Sequence, residues 1–256
     1  MKKLLTALFL SMSLFAPSAF AETQMKEGAR LKFSDGRPDL VKLSEINEVL
    51  KSVGVRLIRI EVPKESIPLL EASLKALLTE EEKARVLKTF SLSREAMIEQ
   101  ARGAGREPVI AGGGSMSTGE AGVAPYPKVY DLKAMGSQDR LNARNKFGRL
   151  HVNATDAMLG VDEVMTLPVG GPWTWYFQLK NQLVVELQMD RIAPGEPGWR
   201  LSYPGLTPHG AYFHSKEGLC IAYITGPQMW TMRYEAPTLT GADMLGKNPW
   251  INFDAK

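Results

Sequence analysis

Residues 198–214 read GWRLSYPGLTPHGAYFH, and EGLCIAYI follows at 217–224. Glycine and proline at 204–205 and 208 mark tight turns between two short strand-like runs. They leave His209 at the start of the second run. If His209 points inward, strand alternation puts Ala211 and Phe213 on its face and His214 on the other.

The same texture continues on both sides of this stretch. GRLHVNA, VDEVMTLPV, WTWYFQL, QLVVELQM, LCIAYI and MWTMRYE are short runs rich in valine, leucine and aromatics, separated by Pro/Gly turns. Many short strands at near-regular spacing indicate a β-sandwich or a closed barrel.

Segment 198–213 resembles the second sequence motif of the cupin family, G-x5-P-x-G-x2-H-x3-N. Gly198, Pro204 and His209 stand at its spacing, Gly205 is displaced by one residue, and Phe213 replaces the final asparagine. The resemblance implies an antiparallel β-barrel or jelly roll over about 148–235, with His209 inside it. Aligning the first cupin motif puts its closing glycine at Asn181, its glutamate at Thr174 and its histidines within Leu167–Gly170, none of them a metal ligand there. The same alignment turns Thr174, Tyr176 and Gln178 inward as ligand-binding residues beside His209 and Phe213, and turns Trp173 and Trp175 outward.

The resemblance implies small-molecule chemistry, with His209 as catalytic base or donor, or as ligand to a divalent metal. Further metal partners would come from His151, His214, Glu186, Asp190 or Glu196. Outward tryptophans give the alternative, a non-catalytic envelope module that docks a partner or builds a homodimer. The lone cysteine, Cys220, lies within LCIAYI and reads as a small buried apolar residue.

Residues 40–104 carry a different pattern. Ile46, Val49, Leu50 and Val53 share a helical face that Gly54 ends. VRLIRIEV (55–62) alternates as a half-exposed strand, and Thr79-Glu80-Glu81-Glu82 is a capping box. With helices to about Leu78 and over 94–102, this is a mostly helical region with one strand. Residues 105–128 are rich in glycine and proline and read as a linker or lid. Residues 129–256 form the cupin-like domain, and the whole is an α+β chain. Arg140, Arg144, Lys146 and Arg149 read as a solvated face.

The first 21 residues, MKKLLTALFLSMSLFAPSAFA, have a basic start, a short apolar run and a small-x-small end, the pattern of a secretory leader. They imply a periplasmic or secreted protein with no stable membrane span. Apolar residues make up 44% of the 256, enough for a packed core. The formal charge of +3 includes Lys2 and Lys3 of the leader, so no basic surface for nucleic acid is expected.

Overall fold

A computed structural model describes residues 27–109 and 114–254. The leader at 1–21 lies outside them. Two antiparallel sheets face one another. One has the order β1 (Ala29–Phe33), β8 (Val184–Met189), β7 (Trp173–Gln178), β10 (His209–Tyr212). The other runs β2 (Arg56–Ile60), β9 (Gly198–Pro204), β6 (Asp162–Gly170), β11 (Gly218–Thr225), β4 (Lys128–Asp131). A third, small sheet joins β3 (Gly119–Glu120), β12 (Met229–Arg233) and β5 (Val152–Ala154). The expected closed barrel is not formed: each sheet keeps its own edges, so the arrangement is a sandwich of jelly-roll type rather than a continuous ring of paired strands.

The stretch 198–214 carries the chain from one sheet to the other. In β9, Trp199, Leu201 and Tyr203 point into the core between the sheets. The turn at 205–208 then delivers β10 to the opposite sheet, where it pairs with β7. Gly205 is required at this corner. A Cβ there would stand 2.5 Å from the Asn153 carbonyl oxygen and 2.7 Å from that of Val161, and the Gly205 carbonyl accepts from the Asn153 N–H at 2.8 Å.

Helices occupy the amino-terminal part as the pattern implies: α1 (Leu43–Lys51), α2 (Ile67–Lys75), α3 (Glu80–Thr89) and α4 (Arg94–Gly103). Gly54 adopts φ +74° just beyond α1, and its N–H returns to the Lys51 carbonyl. Thr79 and Glu82 make the reciprocal capping box of α3, at 3.2 and 2.8 Å. Leu70, Val86, Phe90 and Met97 cover the outer face of β6 and β11, against Val164, Val169, Leu219 and Ile221. Strand β6 is therefore buried on both faces.

The amino-terminal region also supplies strands to both large sheets. β1 pairs with β8 and β2 with β9. The Asn47 side chain ties α1 to β2 by bonding both the N–H and the carbonyl of Leu57, each at 2.8 Å. Within 105–128, Arg106 is ion-paired to Asp162 of β6, and β3 lies along β12. A fifth helix, α5 (Ser137–Phe147), carries part of the basic segment. Lys146 pairs with Glu120 at 2.9 Å, and Arg140 donates to the backbone carbonyls of Leu132, Met135 and Ser215.

Candidate functional site

Between the sheets lies a cavity of about 200 Å³. Most of its wall is apolar and aromatic, including Met165, Trp175, Phe213, Ala222 and Trp230. Five of its polar groups, His151, Asn153, Glu163, Tyr203 and His209, gather where β5, β6, β9 and β10 converge, and Glu120, Tyr126 and Tyr130 also line it.

His209 is buried and begins β10. Its Nδ1 donates to the Thr207 carbonyl at 2.8 Å, and its Nε2 lies 3.2 Å from Oε1 of Glu163. A carboxylate oxygen only accepts, so that contact needs one proton between the two atoms. Glu163 is held from two further directions. Asn153 Nδ2 donates to Oε1 at 2.7 Å and the Tyr203 hydroxyl donates to Oε2 at 3.2 Å. Trp175 Nε1 in turn donates to the Tyr203 oxygen at 3.4 Å. Burial, with the Glu163 charge beside it, pushes the Tyr203 phenol well above its ordinary value, so it stays a donor.

His151 stands beside His209. The two residues exchange backbone hydrogen bonds at 2.9 Å, and their rings meet edge to face at 4.5 Å. His151 Nδ1 donates to the Arg149 carbonyl at 2.8 Å, which leaves Nε2 as the unprotonated nitrogen of the neutral ring. Burial, then the neighbouring His209, holds this imidazole well below its usual value. The site thus couples a carboxylate–imidazole pair that shares a proton with a second, neutral imidazole.

Of the residues expected inside, His209 and Phe213 line the cavity, and Ala211 lies on their face. Thr174, Tyr176 and Gln178 do not. They are buried on the opposite face of β7, where Tyr176 packs with Leu150 and Val184 beneath Met244 and Trp250. Gln178 donates to the Gly241 carbonyl at 2.7 Å and accepts from the Met244 N–H at 3.1 Å. The correction follows from register. His209 sits directly opposite Phe177, so it shares a face with Trp173, Trp175 and Phe177. The motif alignment is one residue out along β7, and in a strand that reverses every side chain.

Trp173 and Trp175 consequently face inward, 0% and 2% exposed, and offer no outer docking surface. His214 packs against Tyr212, away from the cavity. Glu186 binds Gln188, and Glu196 caps the N–H of Ala193. The sequence pattern does not point to Glu163, nor to Asn153 and Tyr203 as its partners. The available signal was a carboxylate within the apolar run VDEVMTLPV, since a buried glutamate requires partners.

A divalent ion fits this set poorly. Both Glu163 oxygens are already engaged by Asn153, Tyr203 and His209. Among the described residues, no group of three His, Cys, Asp or Glu side chains is arranged to hold an ion. Nor is any helix among them long and apolar enough to cross a membrane.

No protein-family model matches the chain, and no curated protein matches it in sequence. Among solved structures it is similar to an acireductone dioxygenase from Bacillus anthracis with a cadmium ion in its active centre. The two share 16% identity over 78% of this chain and 93% of that one, with a TM-score of 0.50. That likeness supports a cupin-like fold.

Proposed function

We propose that this protein binds a small molecule in the inter-sheet cavity and moves a proton on it through Glu163 and His209. The observation that carries the reading is the 3.2 Å contact between His209 Nε2 and Glu163 Oε1 in the wall of a largely apolar enclosure. Such a pocket suits an apolar ligand oriented by a few polar groups. His209 is the catalytic residue in this reading, with Glu163 its partner; His151 stays neutral beside them. Phe213 and Trp175 form the binding wall. The burial of Trp173 and Trp175 removes the ground for an envelope docking module.

The reading uses protons alone, because the donor set does not suit a divalent ion. Metal analysis of protein purified without added metal tests that part. A stoichiometric ion that disappears in His209→Ala would overturn it. The setting we propose, outside the cytoplasm, is carried by residues 1–21 alone and is tested by cell fractionation with and without them.

The binding reading is tested by ligand-observed NMR against a library of small fragments. Hits are expected that vanish in Ala222→Trp, where the larger side chain fills the cavity. A library with no hit sensitive to that substitution would overturn the reading.

A further inference from the structure

The cavity reaches the surface along one edge of the second large sheet. On β4, Tyr130 lies directly opposite Cys220 and Lys128 opposite Ala222. Cys220 and Ala222 both line the cavity, and residues paired across strands share a face. Tyr130 and Lys128 therefore sit on the cavity's face of the outermost strand. Tyr130 lines the cavity and is nevertheless 38% exposed, which marks the mouth. Met135 and Phe147 stand at the same place, since they line both the cavity and an outer hollow whose wall includes Lys146.

This rim carries one cation without a counterion. The Glu120 carboxylate, which also lines the cavity, is already paired with Lys146 at 2.9 Å. Lys128 is half-buried, and its ammonium stands 4.5 Å from the centre of the Tyr126 ring, itself part of the cavity wall. It makes no hydrogen bond or ion pair with any described residue. The ring face attracts the ammonium but does not neutralise it. Partial burial lowers the proton affinity of Lys128, while the Glu120 and Lys146 charges act on it in opposite senses.

We infer that the cavity's ligand is an amphiphilic monoanion. Its apolar body of about one ring lies between the sheets, and a carboxylate at its end emerges at the mouth to pair with Lys128. The volume admits roughly one ring, as a cavity of about 150 Å³ admits benzene. The body is uncharged, because the inner wall is largely apolar and Glu163 already engages three protein groups. A carboxylate suits the rim better than a phosphate, which carries roughly −1.5 to −2 charges at neutral pH against one unpaired ammonium. This inference rests on the ligand-binding reading above and adds the class of ligand.

The test uses isothermal titration calorimetry at neutral pH with four probes. 3-Phenylpropanoate has the apolar body and the anion, 3-phenylpropanamide the body with a neutral end, 3-phenylpropan-1-amine the body with a cation, and propanoate the anion alone. The wild-type protein should bind the first about tenfold more tightly than the amide, with the amine and propanoate weaker still. Lys128→Met keeps an unbranched apolar stem beside Tyr126. It should bring 3-phenylpropanoate down to the level of the amide and leave the amide unchanged. An amide that binds wild type as well as the anion, or an equal loss of both in Lys128→Met, overturns the inference while leaving cavity binding standing. Propanoate binding as tightly as 3-phenylpropanoate also overturns it, since the body would then contribute nothing. Failure of every probe overturns it too, and the fragment screen then decides cavity binding by itself. The ranking in the wild-type protein is decisive even if the variant does not fold.

Discussion

His209 and Glu163 join the two large sheets across the interior, since His209 begins β10 of one sheet and Glu163 belongs to β6 of the other. The contact that carries the proposed chemistry is therefore also a structural tie. Removing one member of a buried hydrogen-bonded pair leaves the other without its partner.

Glu163→Leu should thus cost about 3–5 kcal/mol, because His209, Asn153 and Tyr203 all lose their acceptor. Glu163→Gln should cost less, as the amide oxygen can still accept from Asn153 or Tyr203, yet it should abolish any proton transfer. Urea unfolding of the two variants checks the order. Equal stability of wild type and Glu163→Leu would contradict the tie.

Stability should fall in mild acid through His151. Its folded-state affinity for a proton is depressed, so below about pH 6.5 the unfolded chain takes up a proton that the folded one refuses. The stabilisation is complete above the unfolded value and declines as pH drops toward the folded one. Between pH 7.0 and 5.5 this one group should remove about 1 kcal/mol. Denaturation midpoints at the two pH values should differ less in His151→Gln than in the wild type.

Cys220 should be inert in the folded protein. It is buried in the cavity wall with its thiol 3.9 Å from the sulfur of Met165, and burial pushes the thiol up to about 12. At pH 8 the thiolate fraction is then on the order of a thousandfold below that of a free cysteine. Labelling with a disulfide reagent should follow the unfolding rate, and rapid labelling under native conditions would refute this.

Gly205→Ala should destabilise by about 2–3 kcal/mol even though alanine is small. The added carbon would meet the backbone of Asn153 and Val161, which cannot swing aside as a side chain could. Because Asn153 also binds Glu163, the variant should weaken ligand binding as well as lower the melting temperature. Calorimetry in the presence and absence of a bound fragment checks both.

Much of the fold was legible because its signals are local. The capping box at Thr79, the stop at Gly54 and the alternation of 198–214 depend on residues a few positions apart. The inward set of β10 was readable for the same reason: His209, Ala211 and Phe213 follow from alternation once His209 is placed. Strand β7 was not, because its face was set by counting back through a motif that this chain carries imperfectly, and one position of error exchanged Tyr176 for Trp175. Glu163 was hidden differently. Its partners Tyr203 and His209 lie 40 and 46 residues on in sequence, and only the pairing of β6 with β9 and the crossing to β10 bring them together.

Strands β1 and β2 have a kinetic consequence. Each must wait for a partner more than 130 residues later in the chain, β8 for the first and β9 for the second. The first sheet cannot acquire this edge until the chain is present to about residue 189, nor the second until about residue 204, and closing loops of that length is entropically slow. A nascent chain halted before β8 would hold β1 and β2 as unpaired, partly apolar strands. Maturation of this protein should accordingly be limited by long-range strand docking, with aggregation competing most strongly in that interval.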